Sequence, residues 1–306
     1  MTEQLTTVGR GISLTYEQFG DAGGDPIVLV AGLGQQLHSW PTAFCEQLAA
    51  RGYRVIRFDN RDAGRSTQMP FRPASLASIM RRRWPAEQYD LSDLATDTVG
   101  LLDSLGYDQA HLVGVSMGGM IAQTVAALHP HRVRTLTSIM STTGARRTGR
   151  PALSTWRLMA ARPPKTRQEA VDRTVRMFRH IGSHGFAFDE AWVREQAGLA
   201  WDREPSPAGT ARQLAAIFRS GDRTAQLRTI TAPTLVIHGD RDRMVHPTGG
   251  AATARAITDA RLESIAGMGH DLPKDAWPTL LDLIDNHARP AGRPPATRST
   301  DAATSS

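Results

Sequence analysis

The sequence predicts an α/β protein: a mostly parallel central sheet, helices on both faces and a helical cap insertion. Three observations predict it. Short apolar runs closed by glycine alternate with helical patterns through the first 140 residues. The strand pattern then stops and resumes at Thr234. A Gly-x-Ser-x-Gly segment, Gly114 to Gly118, sits where a strand pattern turns into a helix pattern.

The elements follow in order. Ser13 to Phe19, with Leu14 and Tyr16 set between polar residues, reads as an antiparallel edge strand. Ile27 to Val30, Tyr53 to Phe58, Ala110 to Val115 and Val133 to Met140 are β-branched runs of the kind that fills a sheet covered on both faces. Between them, Leu94, Leu101, Leu102 and Leu105 lie on one helical stripe that stops at Gly106, and Met117 to Leu128 makes a helix closed by His129-Pro130. Residues 145–224 carry no strand pattern. Ala170, Val171, Thr174, Val175 and Phe178 recur at helical spacing, and Ser206-Pro207 reads as an N-cap with proline at the first helical position. Leu214, Ile217 and Phe218 are the expected apolar face of that last helix, and Gly221 its end. Thr234 to His238 and Arg261 to Ile265 complete the sheet, and a helix covers 275–287. The division is then a core of 1–144 and 225–288, a helical cap of 145–224, and a proline-rich tail, 289–306, expected to be disordered.

Composition narrows the function. A chain of 306 residues buries about three quarters of its unfolded surface and needs no staples. Its single cysteine, Cys45, excludes a disulfide scaffold and reads as a small core residue. The formal charge is +6, and all but two of the 36 basic residues are arginine, the lysines being Lys165 and Lys274. The arginines are scattered and seldom interleaved with aromatics, so no nucleic-acid partner is expected. Met1 to Gln4 lacks a basic, apolar leader, and no apolar run approaches the ~20 residues of a spanning helix, which predicts a soluble, cytoplasmic protein. Leu76, Ile79, Met80 and Trp84 beside Arg81-Arg82-Arg83 raise a membrane-surface reading, but a helix packed on the cap with solvated arginines is the preferred one.

The chemistry centres on Ser116. A serine between small residues on a sharp strand-to-helix turn is an exposed nucleophile. A phosphate-binding turn is the bland alternative, but the segment lacks a Lys-Ser/Thr ending. A serine hydroxyl needs a base and a group to orient that base. His270, in Gly267-Met268-Gly269-His270-Asp271 after the last strand, is the base candidate. Two carboxylates compete for the third role. Asp242 lies far enough into its loop to turn toward the base, whereas Asp240 is better placed to hold the turn. The backbone N–H groups of Met117 and of Leu33, in Ala31-Gly32-Leu33-Gly34, are the expected oxyanion donors. No cluster has metal-ligand spacing, so no metal is expected.

These segments, with Phe58 to Ser66 and Gly239 to Asp242, resemble the α/β-hydrolases in order and spacing, over about residues 10–287. Asp59-Asn60-Arg61-Asp62 and Gly267 to Pro273 are similar to the aclacinomycin methylesterase group and the mycobacterial lipase/esterases. The resemblance implies cofactor-free hydrolysis of a carboxylic ester, lipid-like or a thioester included, through an acyl-serine. It also implies bracing roles for Asp59, Arg61 and Ser66. Ala31 stands where many relatives carry histidine, a change a backbone oxyanion hole survives. A cap over the sheet edge predicts a small-molecule ester with a sizeable apolar part. The rivals are perhydrolysis, lactone or C–C bond hydrolysis on the same triad, and a non-catalytic binding protein on this scaffold.

Overall fold

A computed structural model describes residues 2–159 and 161–289, apart from the side chains of Leu76 and Met80. Of the tail expected over 289–306, all but Arg289 lies outside the described residues. The strands are β1 (Gln4–Gly9), β2 (Ile12–Phe19), β3 (Asp25–Val30), β4 (Tyr53–Phe58), β5 (Ala110–Val115), β6 (Val133–Ile139), β7 (Thr234–Gly239) and β8 (Arg261–Ile265). They form one eight-stranded sheet in the order β1-β2-β4-β3-β5-β6-β7-β8. From β4 to β8 every neighbouring pair is parallel, while β2 pairs antiparallel with both β1 and β4. The second strand is therefore not the edge. Gln4–Gly9 covers it, a strand whose largely exposed, polar pattern left no apolar signal.

Alternate residues of each strand feed two cores. On one face Val28, Val30, Ile56 and Leu112 pack with α3 (Leu91–Ser104) and α4 (Met117–Leu128). On the other Ile27, Leu29, Val113 and Ile237 pack with α1 (Thr42–Ala49) and α11 (Trp277–Ala288). The chain reverses direction through the sheet between β3 and β5, so their carboxyl ends frame a crevice, the usual site of ligand binding in such sheets. The remaining core helices are the short α2 (Leu76–Met80) and α10 (Thr248–Ala256). Ile79 is buried and Arg81, Arg82 and Arg83 are exposed; the rest of the proposed apolar stripe includes Leu76 and Met80, whose side chains are not described.

Between β6 and β7 come α5 (Leu153–Met159), α6 (Arg167–Ile181), α7 (Glu190–Asp202), α8 (Pro207–Ser220) and α9 (Thr224–Leu227). Ser206 caps α8, accepting from Gly209 N, and Gly221 ends it at φ 60°. The buried face of α8 differs from the expected one. It is Arg212, Gln213, Ala215 and Ala216, and Phe218 is exposed. Polar residues face inward because buried acceptors wait there. The Arg212 fork grips both oxygens of Asp62 at 2.6 and 2.8 Å, and Tyr89 donates to the same carboxylate. Arg203, after α7, pairs with Asp59 at 2.6 Å. Arg223 donates to the carbonyls of Met120 and Thr142 and to Gln123.

Removing one member of a buried pair strands the other without water. Arg212→Leu should therefore cost about 3 to 5 kcal/mol in urea unfolding. The double variant Arg212→Leu/Asp62→Leu should be clearly less destabilised than the sum of the two single variants.

Candidate active site

Ser116 joins β5 to α4 at φ 55° and ψ −118°, a backbone conformation that side-chain-bearing residues rarely adopt. Its surroundings enforce it. Ser116 N donates to Ile139 O at 2.9 Å, and Ser141 Oγ donates to Ser116 O at 2.8 Å. A methyl on Gly114 would stand 2.2 Å from Gly118 O, and one on Gly118 would stand 2.1 Å from Val30 O. Only glycine lets strand and helix approach this closely.

His270 reaches this turn from the loop after β8. Its Nε2 lies 3.0 Å from Ser116 Oγ, and its Nδ1 lies 2.7 Å from Asp242 Oδ2. A carboxylate only accepts, so Nδ1 carries the proton and Nε2 faces the hydroxyl as an acceptor. Asp242 is fully fixed: its Oδ1 accepts from Met244 N and Val245 N, each at 2.8 Å. Burial alone would raise the Asp242 carboxyl. The electrostatic pull of the His270 imidazole and the bonds from His238 and His270 outweigh it and hold the group well below the ordinary carboxylate range. Asp240 turns elsewhere, accepting from Gly267 N at 2.7 Å, and so ties the acid loop to the histidine loop.

The 31–34 loop runs beside the serine, since a methyl on Gly32 would lie 3.5 Å from Ser116 Cβ. Gly32 N is bonded to Gln35 and Gly34 N to Gln213 of α8. Among the described residues neither Leu33 N–H nor Met117 N–H is spent on an acceptor. Met117 opens α4, where backbone N–H groups are unpaired and the helix dipole favours negative charge.

The neighbouring 58–66 segment is structural. Asp59 accepts from Leu37 N and Arg65 N, Arg61 pairs with Asp97, and Ser66 bridges Asp59 O to Thr15 N. Burial drives the Asp59 carboxyl upward, against the pull of Arg203. The thiol of Cys45 is enclosed in the core, and burial pushes it up to about 12, which removes it as a nucleophile. Among the described residues no group of His, Cys, Asp and Glu has the geometry of a metal site.

The sequence reading missed the braces. His270 N donates to Ile181 O at the end of α6, and Ser183 Oγ accepts from Gly269 N while donating to Asp271. His238 stands 3.3 Å behind Asp242, and its only sequence signal is a histidine ending an apolar strand.

A strained serine, an imidazole and a buried carboxylate stand within hydrogen-bond reach of one another at the carboxyl edge of a helix-covered sheet, an arrangement that suits a hydrolase. The chain belongs to the alpha/beta hydrolase fold family, whose profile matches residues 25–276. Rhodomycin D methylesterase DauP of Streptomyces sp. (strain C5) is 30% identical over 303 residues, spanning 92% of this chain and 96% of that protein. Rhodomycin D methylesterase DnrP of Streptomyces peucetius matches at 30% over 307 residues, with the same coverage of both chains. The crystal structure of the enol-lactonase from Burkholderia xenovorans LB400 superposes with a TM-score of 0.70 at 24% identity, covering 91% of this chain and 98% of that one, and so shares the fold.

A carboxyl whose folded-state pKa is depressed stabilises the protein above its unfolded value, near 3.9, and loses that contribution only as pH falls through the folded one. The stability gap between the wild type and Asp242→Asn should accordingly hold constant from pH 7 to about pH 5, then shrink as pH falls below the unfolded value. Urea midpoints taken across that range read it directly, and a gap already closing near pH 6 would contradict the depressed value.

Proposed function

We propose that this carboxylic-ester hydrolase works through an acyl-serine intermediate. The observation that carries the reading is the unbroken line Ser116 Oγ, His270 Nε2, His270 Nδ1, Asp242 Oδ2, with steps of 3.0 and 2.7 Å. Ser116 attacks the ester carbonyl as His270 takes its proton, and the carbonyl oxygen becomes an oxyanion. The N–H groups of Leu33 and Met117 receive that oxyanion. His270 then returns the proton to the departing alcohol, leaving the acyl group on Ser116. Water, deprotonated by His270, then attacks the acyl carbonyl; the acyl–Oγ bond breaks, His270 returns the proton to Ser116 Oγ, and the acid leaves. Asp242 keeps the imidazole in the required tautomer and offsets its positive charge in both halves of the cycle. None of these steps calls for a cofactor.

The two methylesterases that span nine tenths of the chain support a methyl ester as the scissile group. In this reading residues 145–224 form a cap. Its α6 end holds the histidine loop through Ile181, and α8 holds the oxyanion loop through Gln213. A cap at both sides of the serine suits an acid component with a sizeable apolar part. No described helix is long and apolar enough to cross a membrane, and a cytoplasmic setting is part of the proposal.

A fluorophosphonate probe should label Ser116 and nothing else, as read by peptide mapping. Ser116→Ala should abolish labelling and lower kcat by about 10⁴- to 10⁶-fold, with the fold unchanged by circular dichroism. Labelling that survives in Ser116→Ala would remove the serine from its role. In a panel of methyl esters, kcat/KM should rise from methyl acetate to esters of bulky apolar acids. A flat profile would contradict the apolar pocket.

A further inference from the structure

His238, the penultimate residue of β7, is buried beside Asp242. Its Nε2 lies 2.8 Å from Val245 O and 3.3 Å from Asp242 Oδ2, the oxygen that also receives His270 Nδ1. A carbonyl only accepts, so the His238 proton is on Nε2. Nδ1 is then an acceptor, and among the described residues this buried atom has no partner. Space for it is made by Gly250 of α10, where a methyl would stand 2.4 Å from Nδ1.

The three contacts close a small circuit. Val245 N–H donates to Asp242 Oδ1, Val245 O accepts from His238, and the same Nε2–H presents its positive end to Asp242 Oδ2. One oxygen of the carboxylate is thus fixed by backbone, and the turn that fixes it is fixed by an imidazole. We infer that His238 is a positioning residue, which through Val245 and the near edge of Asp242 sets the angle at which the carboxylate meets His270. The inference rests on the triad reading above, because it assigns His238 an effect on the reaction and not on folding alone.

Three variants and one spectrum test it. His238→Leu keeps the volume but removes the donor, and should lower kcat about tenfold, the lower end of what loss of an outer-shell partner costs, with KM unchanged. His238→Gln, which can place an amide N–H near Val245 O, should restore most of kcat. His238→Phe should behave as His238→Leu. Equal kcat in His238→Leu and wild type, or a Gln variant no better than Leu at equal folded fraction, would overturn the role. Should the apolar variants fail to fold, ¹⁵N-histidine spectra of the wild type still decide. The expected result is an Nε2–H tautomer at His238, assigned from the missing signal in His238→Gln. An Nδ1–H tautomer would break the circuit and the proposal with it. Failure of Ser116 labelling would sink the triad reading while leaving the tautomer result standing, so the two outcomes are separable.

Discussion

Everything at the site depends on one strained residue. Holding Ser116 at a positive φ costs on the order of 1 to 3 kcal/mol, which the surrounding structure must over-determine. It does so from three directions: β6 accepts the serine N–H, Ser141 caps its carbonyl, and Gly118 presses α4 onto Val30 at the end of β3. With the turn fixed, Oγ stands within reach of His270 Nε2. The 31–34 loop has no choice of neighbour either, because β3 and β5 are adjacent strands and both end there. The strain at Ser116 and the company its hydroxyl keeps are consequences of a single packing constraint.

The second feature is that the insertion is stitched to the core and not merely laid over it. The loop after α6 and the histidine loop touch backbone to backbone: a methyl on Gly185 would stand 2.5 Å from Gly267 Cα, and one on Gly269 would stand 2.3 Å from Gly182 O. Gly267 O accepts from both His184 N and Gly185 N. Swinging the insertion away as a rigid body would break these bonds together with the Asp59–Arg203 and Asp62–Arg212 pairs. His270 is therefore held by the insertion as much as by the sheet, through Ile181 O on its own N–H and Ser183 on Gly269 N.

How much of this was legible follows from what leaves a local signal. The strands at 27–30, 53–58 and 110–115 announced themselves because a sheet covered on both faces demands continuous β-branched runs. Ser116 was legible because its backbone conformation demands glycines at fixed offsets, and those are visible in the chain. His270 and Asp242 followed from topology, since parallel strands deliver their following loops to one edge. The choice of Asp242 over Asp240 rested on two residues of loop length; Asp240, expected to hold its own turn, instead accepts from Gly267 N in the facing loop. What left no signal was the bracing between polar residues far apart in sequence, which no motif marks. Arg212 to Asp62 spans 150 positions, and on a helical wheel Arg212 looks like a surface residue. The edge strand Gln4–Gly9 was missed for a related reason: it needs only backbone pairing with β2, which no side-chain pattern records.

The arginine content takes on a different meaning once these partners are known. A net charge of +6 on an arginine-dominated chain invites a polyanion as partner. Several of the arginines are instead interior fasteners: Arg57 on Glu17, Arg61 on Asp97, Arg203 on Asp59 and Arg212 on Asp62. Arg223 is the extreme case, pushed down to about 10 by burial with no carboxylate bonded to it, its fork spent on two carbonyls and an amide oxygen. Lysine would serve none of these places well, because a single ammonium cannot span acceptors fixed several ångströms apart, whereas a planar fork meets them without further ordering. Two of these forks, Arg203 and Arg212, leave the insertion to grip Asp59 and Asp62 of the 58–66 loop, so the pairs that offset the buried carboxylates also fasten the insertion to the sheet's carboxyl edge.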